Sequence, residues 1–282
     1  MNGVFIFFVI SGFVIPLALA KDHFQLQNLP RFLWRRFIRI EIPYFVSILF
    51  ILIVGALFAF KNQTTFHVSL IQFIYHIFYV IPFTSYEWYN VIYWTLAIEF
   101  QFYITIGILY YFLSSENKTV MISALLLFGV AGILISDNRL VFHYAPIFLQ
   151  GIILFLIKTK KILPKAGLFL LSLFIIQTAY FHSFEISVFT TATLIAIHHL
   201  DINRSYTNRF GDISYSLYLT HGLVGGNLLY LFSRYVSTEF GKILLVIAAI
   251  FGSLVFSYMY WWIIERPAKK LSGRVSITPP SE

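Results

Sequence analysis

The chain contains no cysteine. Disulfides, thiolate metal sites and a cysteine acyl-enzyme are excluded, so any covalent chemistry must use another nucleophile. Charge is also scarce: 11% of the 282 residues are Asp, Glu, Lys or Arg, where an ordinary soluble domain carries about 25%. No HExxH-type metal spacing occurs, and there is no Gly-rich phosphate loop. No metal site is expected. No internal repeat is visible, which argues against the inverted-repeat architecture common in transporters.

Apolar residues fill the space. Hydrophobic residues make up 59% of the chain and the mean hydropathy is +0.80, values that identify an all-α, polytopic membrane helix bundle. The net charge of +8 does not point to nucleic acid, because the basic residues cluster in short loops between apolar runs. Two such loops, Lys21 to Glu41 and Lys158 to Lys165, are assigned to the cytoplasm by the positive-inside rule. They share a side only if the run Val68 to Phe83 does not cross. That run is therefore expected to be a re-entrant or interfacial helix, which His67, Gln72, Tyr75 and His76 suit. About nine transmembrane helices remain, in a plasma (inner) membrane, with Lys118, Arg204, Arg209 and the C-terminus cytoplasmic. A single domain is expected over residues 1–271, followed by a disordered cytoplasmic tail over 272–282 (SGRVSITPPSE). The same count puts Met1 outside, so a helix is expected ahead of it. Ala18-Leu19-Ala20 resembles a signal-peptide cleavage site, but no positive segment precedes it, and a signal peptide is rejected.

Glu99 is the only charged residue between Glu87 and Glu116, inside YNVIYWTLAIEFQFYITIGILYYFL. A charge at the centre of a spanning helix costs roughly 3 kcal/mol on insertion scales, so such a carboxylate marks either a functional site or a hydrogen-bond clamp. Thr95, Glu99 and Tyr103 fall at four-residue spacing and share a face, while Gln101 points elsewhere. Arg31, Arg35 and Arg39 form a cationic stripe with Arg36 one position aside, on a short cytoplasmic helix capped by Asn28 and opened by Pro30. Arginine's planar fork suits phosphate, and the competing reading is an anchor for anionic lipid. Ser214, Tyr218 and His221 share a face of a later helix. A lone helix histidine is otherwise a core residue bonded by its tyrosine neighbours. His143, His182, His198 and His199 lie near helix ends and carry no role. Glu265, in ERPAKK, either serves a site or pairs with Arg266 or Lys269.

Four segments together resemble the acyltransferase 3 family of integral membrane enzymes. FFVISGFVI resembles the family's second helix, and RRFIRIEIPYF its arginine motif and third-helix entry. WTLAIEFQFY resembles Trp-Ser-Leu-Ala-Val-Glu-Glu-Gln-Phe-Tyr, and SYSLYLTH resembles Ser-Tyr-Ser-Leu-Tyr-Leu-x-His. Phe100 stands where the family commonly has a second Glu, and Ile42 replaces a frequent proline. The family's first helix, which carries its catalytic histidine, would lie before Met1.

The resemblance implies an O-acyltransferase moving an acyl group, commonly acetyl, from acyl-CoA to a hydroxyl of a cell-envelope or secreted carbohydrate. Such transfer needs a base, oxyanion donors and cations for the donor's phosphates. Glu99, His221 and Tyr103 are the catalytic candidates. Arg35, Arg36 and Arg39 are the candidates for binding acyl-CoA, with Arg36 and Arg39 matching the family's paired arginines. No permanently bound cofactor is implied; the expected partners are acyl-CoA, a carbohydrate acceptor and the lipid bilayer, with no nucleic acid. Two alternatives stand beside this reading: a proton- or ion-coupled transporter using Glu99, and an inactive remnant. Lacking the family's histidine, the chain as given is expected to show little activity; robust acyl transfer by the purified 282-residue chain would contradict this.

Overall fold

The computed structural model describes residues 3–199 and 205–276, with side chains throughout except for 205–210. Arg204, the Arg209 side chain and residues 277–282 of the expected tail lie outside the described residues. The elements are α1 Gly3–Lys21, α2 Leu29–Lys61, α3 Leu70–Ile77, α4 Trp94–Leu113, α5 Lys118–Leu134, α6 Ala145–Lys158, α7 Pro164–Phe181, α8 Phe184–His199, α9 Ser205–His221, α10 Asn227–Phe232, α11 Glu239–Tyr260 and α12 Arg266–Gly273. No strand occurs among the described residues. Helix is what a bilayer requires, because each backbone polar group must be satisfied within its own segment.

Six helical stretches are long and apolar enough to cross a membrane: Gly3–Lys21, Leu26–Lys61, Val91–Leu113, Val141–Lys158, Pro164–Phe181 and Glu239–Gly273. The sequence reading of about nine includes three further runs. Those runs are helical, but α5 and α8 are 17 and 16 residues long, and the Ser214 to Phe232 run is broken by a π-helical turn at Gly222–Gly226. The result is a multi-pass membrane protein.

The chain folds as two compact units. The first comprises residues 1–33 and 94–201, with the terminal residues from Ser276. Its centre is α6, in which every residue from Ala145 to Leu156 is buried. A helix apolar on all sides needs protein on all sides, and α1, α5, α7 and α8 supply it. In lipid there is no hydrophobic drive between helices, so close approach through small residues replaces it. A Cβ on Gly12 of α1 would lie 2.2 Å from the Phe148 carbonyl oxygen, and one on Gly151 of α6 would lie 2.1 Å from that of Val9. Here backbone meets backbone.

The second unit comprises residues 34–93 and 202–275. α2, of which residues 34–61 belong to this unit, is one continuous helix of 33 residues, so the arginine stripe sits on the first turns of a spanning helix and not on a separate short one. At 1.5 Å per residue α2 is about 50 Å long, well beyond the roughly 30 Å hydrocarbon core. Pro43 lies inside it and leaves the Arg39 carbonyl without its usual helical donor. Membrane helices tolerate this where neighbouring groups supply donors; four residues on, the carbonyl of Pro43 itself accepts the Tyr260 hydroxyl. After Lys61 the chain turns back along α2. Phe66 packs on Gly55, the Tyr44 hydroxyl donates to the His76 carbonyl at 3.4 Å, and the Tyr79 hydroxyl donates to Glu41 at 2.7 Å. From Gly55 to Glu41 is about 21 Å of helix. With only eight residues in α3, the 68–83 run is not among the stretches long and apolar enough to cross a membrane.

The α1–α6 contact gives a direct test. Gly151→Ala should destabilise the protein by about 1–3 kcal/mol through overpacking, although alanine is the better helix former by about 1 kcal/mol. Gly226 has nothing within 4 Å of the point where a Cβ would sit and should accept alanine within about 0.5 kcal/mol; thermal unfolding in detergent measures both.

Candidate active site

The candidate residues are divided between the two units. Glu99 and Tyr103 belong to the first, on α4; Arg35, Arg36, Arg39 and His221 belong to the second.

On α4 the expected polar stripe is present. Thr95 and Tyr103 are buried, Glu99 is half-buried, and the Tyr103 hydroxyl donates to Glu99 Oε1. A third group joins them: Ser11 Oγ of α1 donates to the same oxygen at 3.4 Å. A separation of 88 positions cannot be read from helical periodicity, although Ser11 lies in the FFVISGFVI segment that resembles the family. Phe32, from the first turn of α2, meets the Tyr103 ring edge-on with centroids 6.3 Å apart. This holds the phenol where its hydroxyl reaches the carboxylate. Gln101 does point away, and it has its own task. Its amide nitrogen donates to the Arg139 carbonyl at 3.0 Å, and its oxygen accepts the Val141 N–H at 2.9 Å, clamping the loop between α5 and α6.

In the second unit Arg35 and Arg36 are half-buried and Arg39 is exposed. His221 is exposed. Its Nδ1 faces the carbonyls of Leu217 and Tyr218 at 3.0 and 2.8 Å, which leaves Nε2 as the nitrogen directed away from its own helix. Next to His221 begins the π-helical turn Gly222–Gly226; a second one, Trp261–Glu265, ends at Glu265. Such turns are rare and frequently accompany functional sites.

The two tyrosines of SYSLYLTH act on backbone. Tyr215 donates to the Ile40 carbonyl at 2.9 Å, inside the arginine motif, and Tyr218 donates to the Ile92 carbonyl at 2.7 Å, just before α4. Glu265 is buried and accepts the Ser216 N–H at 3.1 Å and the Ser216 hydroxyl at 2.5 Å. Arg39 and Lys269 are its cationic neighbours. The pairing weighed from sequence, with Arg266 or Lys269, thus misses the principal partner: Ser216 lies 49 positions away. Thr220 and Ser257 continue the α9–α11 contact through a 2.8 Å hydroxyl pair. These observations tie the arginine, SYSLYLTH and ERP segments into one hydrogen-bonded structure.

A family model described as an acyltransferase domain matches residues 1–262. The chain belongs to the acyltransferase 3 family. Among curated proteins, the O-acetyltransferase OatA of Staphylococcus aureus, in strains NCTC 8325 / PS 47, COL and MRSA252, is 28% identical over 327 aligned residues. The alignment covers 95% of this chain and 52% of the relative, so the chain spans about half the length of the curated relatives it matches. No solved structure matches the chain. In this acyltransferase 3 chain, each of the four resembling segments carries side-chain hydrogen bonds within its own unit. Among the described residues no group of three or more His, Cys, Asp or Glu side chains is placed to hold a metal ion.

The 68–83 segment contributes a pH-sensitive joint. His76 is fully buried; its Nδ1 faces the Gln72 carbonyl at 2.9 Å, and its Nε2 receives the Tyr89 N–H at 3.0 Å. These partners assign the neutral tautomer with the proton on Nδ1, since a proton on Nε2 would confront a donor. Burial holds the imidazole below its usual range, while the Gln72 carbonyl opposes this. A folded-state value below the unfolded 6.5 means that the joint's contribution is complete above about pH 6.5 and shrinks as pH falls below it. The melting temperature should therefore drop between pH 7 and pH 5, and the drop should be smaller in His76→Phe, which keeps the ring stack but cannot titrate.

Proposed function

We propose that this protein is a membrane O-acyltransferase that moves an acyl group, most simply acetyl, from acyl-CoA to a hydroxyl of a cell-envelope or secreted carbohydrate. The match of the acyltransferase 3 family model to nearly the whole chain carries this reading, and the O-acetyltransferase named among its relatives supports it. The transporter alternative draws no support from either comparison.

In this reading the acceptor oxygen attacks the thioester carbonyl, the C–S bond breaks, and the hydroxyl proton passes to a base while the thiolate leaves. Glu99 serves as the proton-accepting or base-orienting carboxylate, with the Tyr103 hydroxyl fixing Oε1. His221, exposed and with Nε2 directed outward, is the alternative base. Arg35, Arg36 and Arg39 hold the phosphates of the coenzyme, entering from the cytoplasmic face of a plasma membrane, and the acceptor arrives from the opposite face. Arginine is suited to this role because its fork binds phosphate bidentately and remains charged at any physiological pH.

The test is Glu99→Gln, which keeps an oxygen to accept from Tyr103. In membranes of cells expressing the protein from its native gene, transfer of labelled acetyl to carbohydrate should fall by about 10²–10⁴, the usual contribution of an acid–base group, with acetyl-CoA binding unchanged. Unchanged transfer would remove Glu99 from the mechanism. Altered ion flux without any acyl product would restore the transporter reading.

A further inference from the structure

A long groove runs over the surface of the first unit between α4 and α5. Its volume is about 770 Å³, and its lining comes from the Ile104 to Phe112 stretch of α4, from Asn117 to Ala131 along α5, and from Phe142 just ahead of α6. Local sequence explains the opening. α5 contributes Ser123, Ala124 and Ala131 to the lining, and side chains this small leave space that α4 does not fill. Ile108, Phe112 and Leu127 are exposed and form the rims, while Leu109 and Phe128 are buried and form the floor. Thr105 is the one polar residue that α4 adds to the lining, and its hydroxyl is spent on the Gln101 carbonyl at 2.9 Å.

The groove is polar and cationic at one end only. Asn117 and Thr119 line it where α5 begins, and Lys118 between them is exposed and forms no salt bridge among the described residues. Lys161 reaches the same end, where its Nζ donates to the carbonyl of Leu113, the last residue of α4, at 3.2 Å. Glu116 is the acid of this loop, and it interacts with Lys161. Lys118 is thus the charge left over. At the far end the lining is Ala131 and Phe142, and the next charges along the chain, Asp137 and Arg139, neutralise each other in a 2.6 Å salt bridge.

Dimensions narrow the choice of occupant. The α4 wall belongs to the spanning stretch Val91–Leu113, so the groove opens toward the bilayer. From Asn117 to Ala131 is about 21 Å of helix, more than half of the roughly 30 Å hydrocarbon core. A helix is about 10 Å across, so 21 Å of one fills about 1,600 Å³, twice the space on offer. A hydrocarbon chain is slimmer. Lying in the groove it touches protein on several sides instead of one, and such dispersion contacts accumulate carbon by carbon. A basic residue at the mouth of a cleft between membrane helices suits an anionic headgroup. We infer that the α4–α5 groove is a binding site for an anionic phospholipid, which lays an acyl chain along it from Thr119 toward Phe142 and sets its headgroup beside Asn117 and Lys118. Neither Glu99 nor Tyr103 lines the groove, but both ride on α4. The lipid therefore fills the side of that helix which α5 leaves open.

The test is native mass spectrometry of the purified protein after exposure to equal amounts of phosphatidylglycerol and phosphatidylcholine with the same chains. The wild type should retain one phosphatidylglycerol, with about a fivefold preference over phosphatidylcholine, the usual effect of one basic residue near a headgroup. Lys118→Gln should abolish that preference. Ala124→Phe and Ala131→Phe, which place a ring in the groove, should lower retention of both lipids. Lys118→Gln alters only an exposed side chain, so it remains decisive if the ring-bearing variants fail to fold. Retention of neither lipid by the wild type, equal retention of the two, a preference that survives Lys118→Gln, or retention indifferent to both alanine changes would each overturn the inference. A dimer that dissociates in Ala124→Phe would overturn it too, by making a second copy of the chain the occupant. No acyl transfer is read in this experiment, so its outcome is separate from that of the acyltransferase reading.

Discussion

A carboxyl group inside a bilayer-spanning helix must be answered by the protein, because no bulk water is there to do it. The structure depends on how that constraint is met. Three half-buried or buried glutamates, Glu41, Glu99 and Glu265, lie in spanning stretches, and each accepts a hydrogen bond from a hydroxyl: Tyr79, Tyr103 with Ser11, and Ser216 respectively. Hydroxyls suit this position. They donate without bringing a second charge into the membrane, and they are the polar groups that spanning helices carry at least cost.

The same chemistry fixes backbone. Tyr215, Tyr218 and Tyr260 donate to the carbonyls of Ile40, Ile92 and Pro43. The last lies at the proline that interrupts the hydrogen-bond ladder of α2. Aromatic side chains bring both a large apolar body and one polar tip, so each of these contacts combines packing with a backbone clamp. This accounts for why residues resembling an enzyme family's motifs are also the residues that join its helices. Removing any of them would disturb geometry as well as chemistry, and only substitutions that keep the hydrogen bond separate the two.

Much of this is legible in the sequence where local periodicity governs it. The four-residue spacing of Thr95, Glu99 and Tyr103 predicts a shared face, and the Tyr103–Glu99 bond realises it. The parity of the basic loops predicts that the run around α3 does not cross, and that run is not among the six stretches long and apolar enough to do so. What periodicity does not contain is partnership between distant segments. Ser11, the Gln101 clamp on the 139–141 loop and the Ser216 bonds of Glu265 join residues 38 to 88 positions apart. The continuity of α2 is hidden from apolar content, because an arginine-bearing segment extends the same helix toward its N-terminus. Glu41 is inconspicuous in the sequence because its motif neighbours are arginines; burial, which sets its meaning, is a property of the fold.

The central proposal is that this acyltransferase 3 chain uses its arginine stripe to hold a coenzyme A thioester. The most direct measurement is equilibrium binding of radiolabelled acetyl-CoA to the purified protein in lipid nanodiscs as a function of salt, in the wild type and in Arg36→Gln. The account predicts saturable binding that weakens with rising ionic strength and is at least tenfold weaker in the variant. Absence of saturable binding, or binding indifferent to both salt and Arg36, would contradict it.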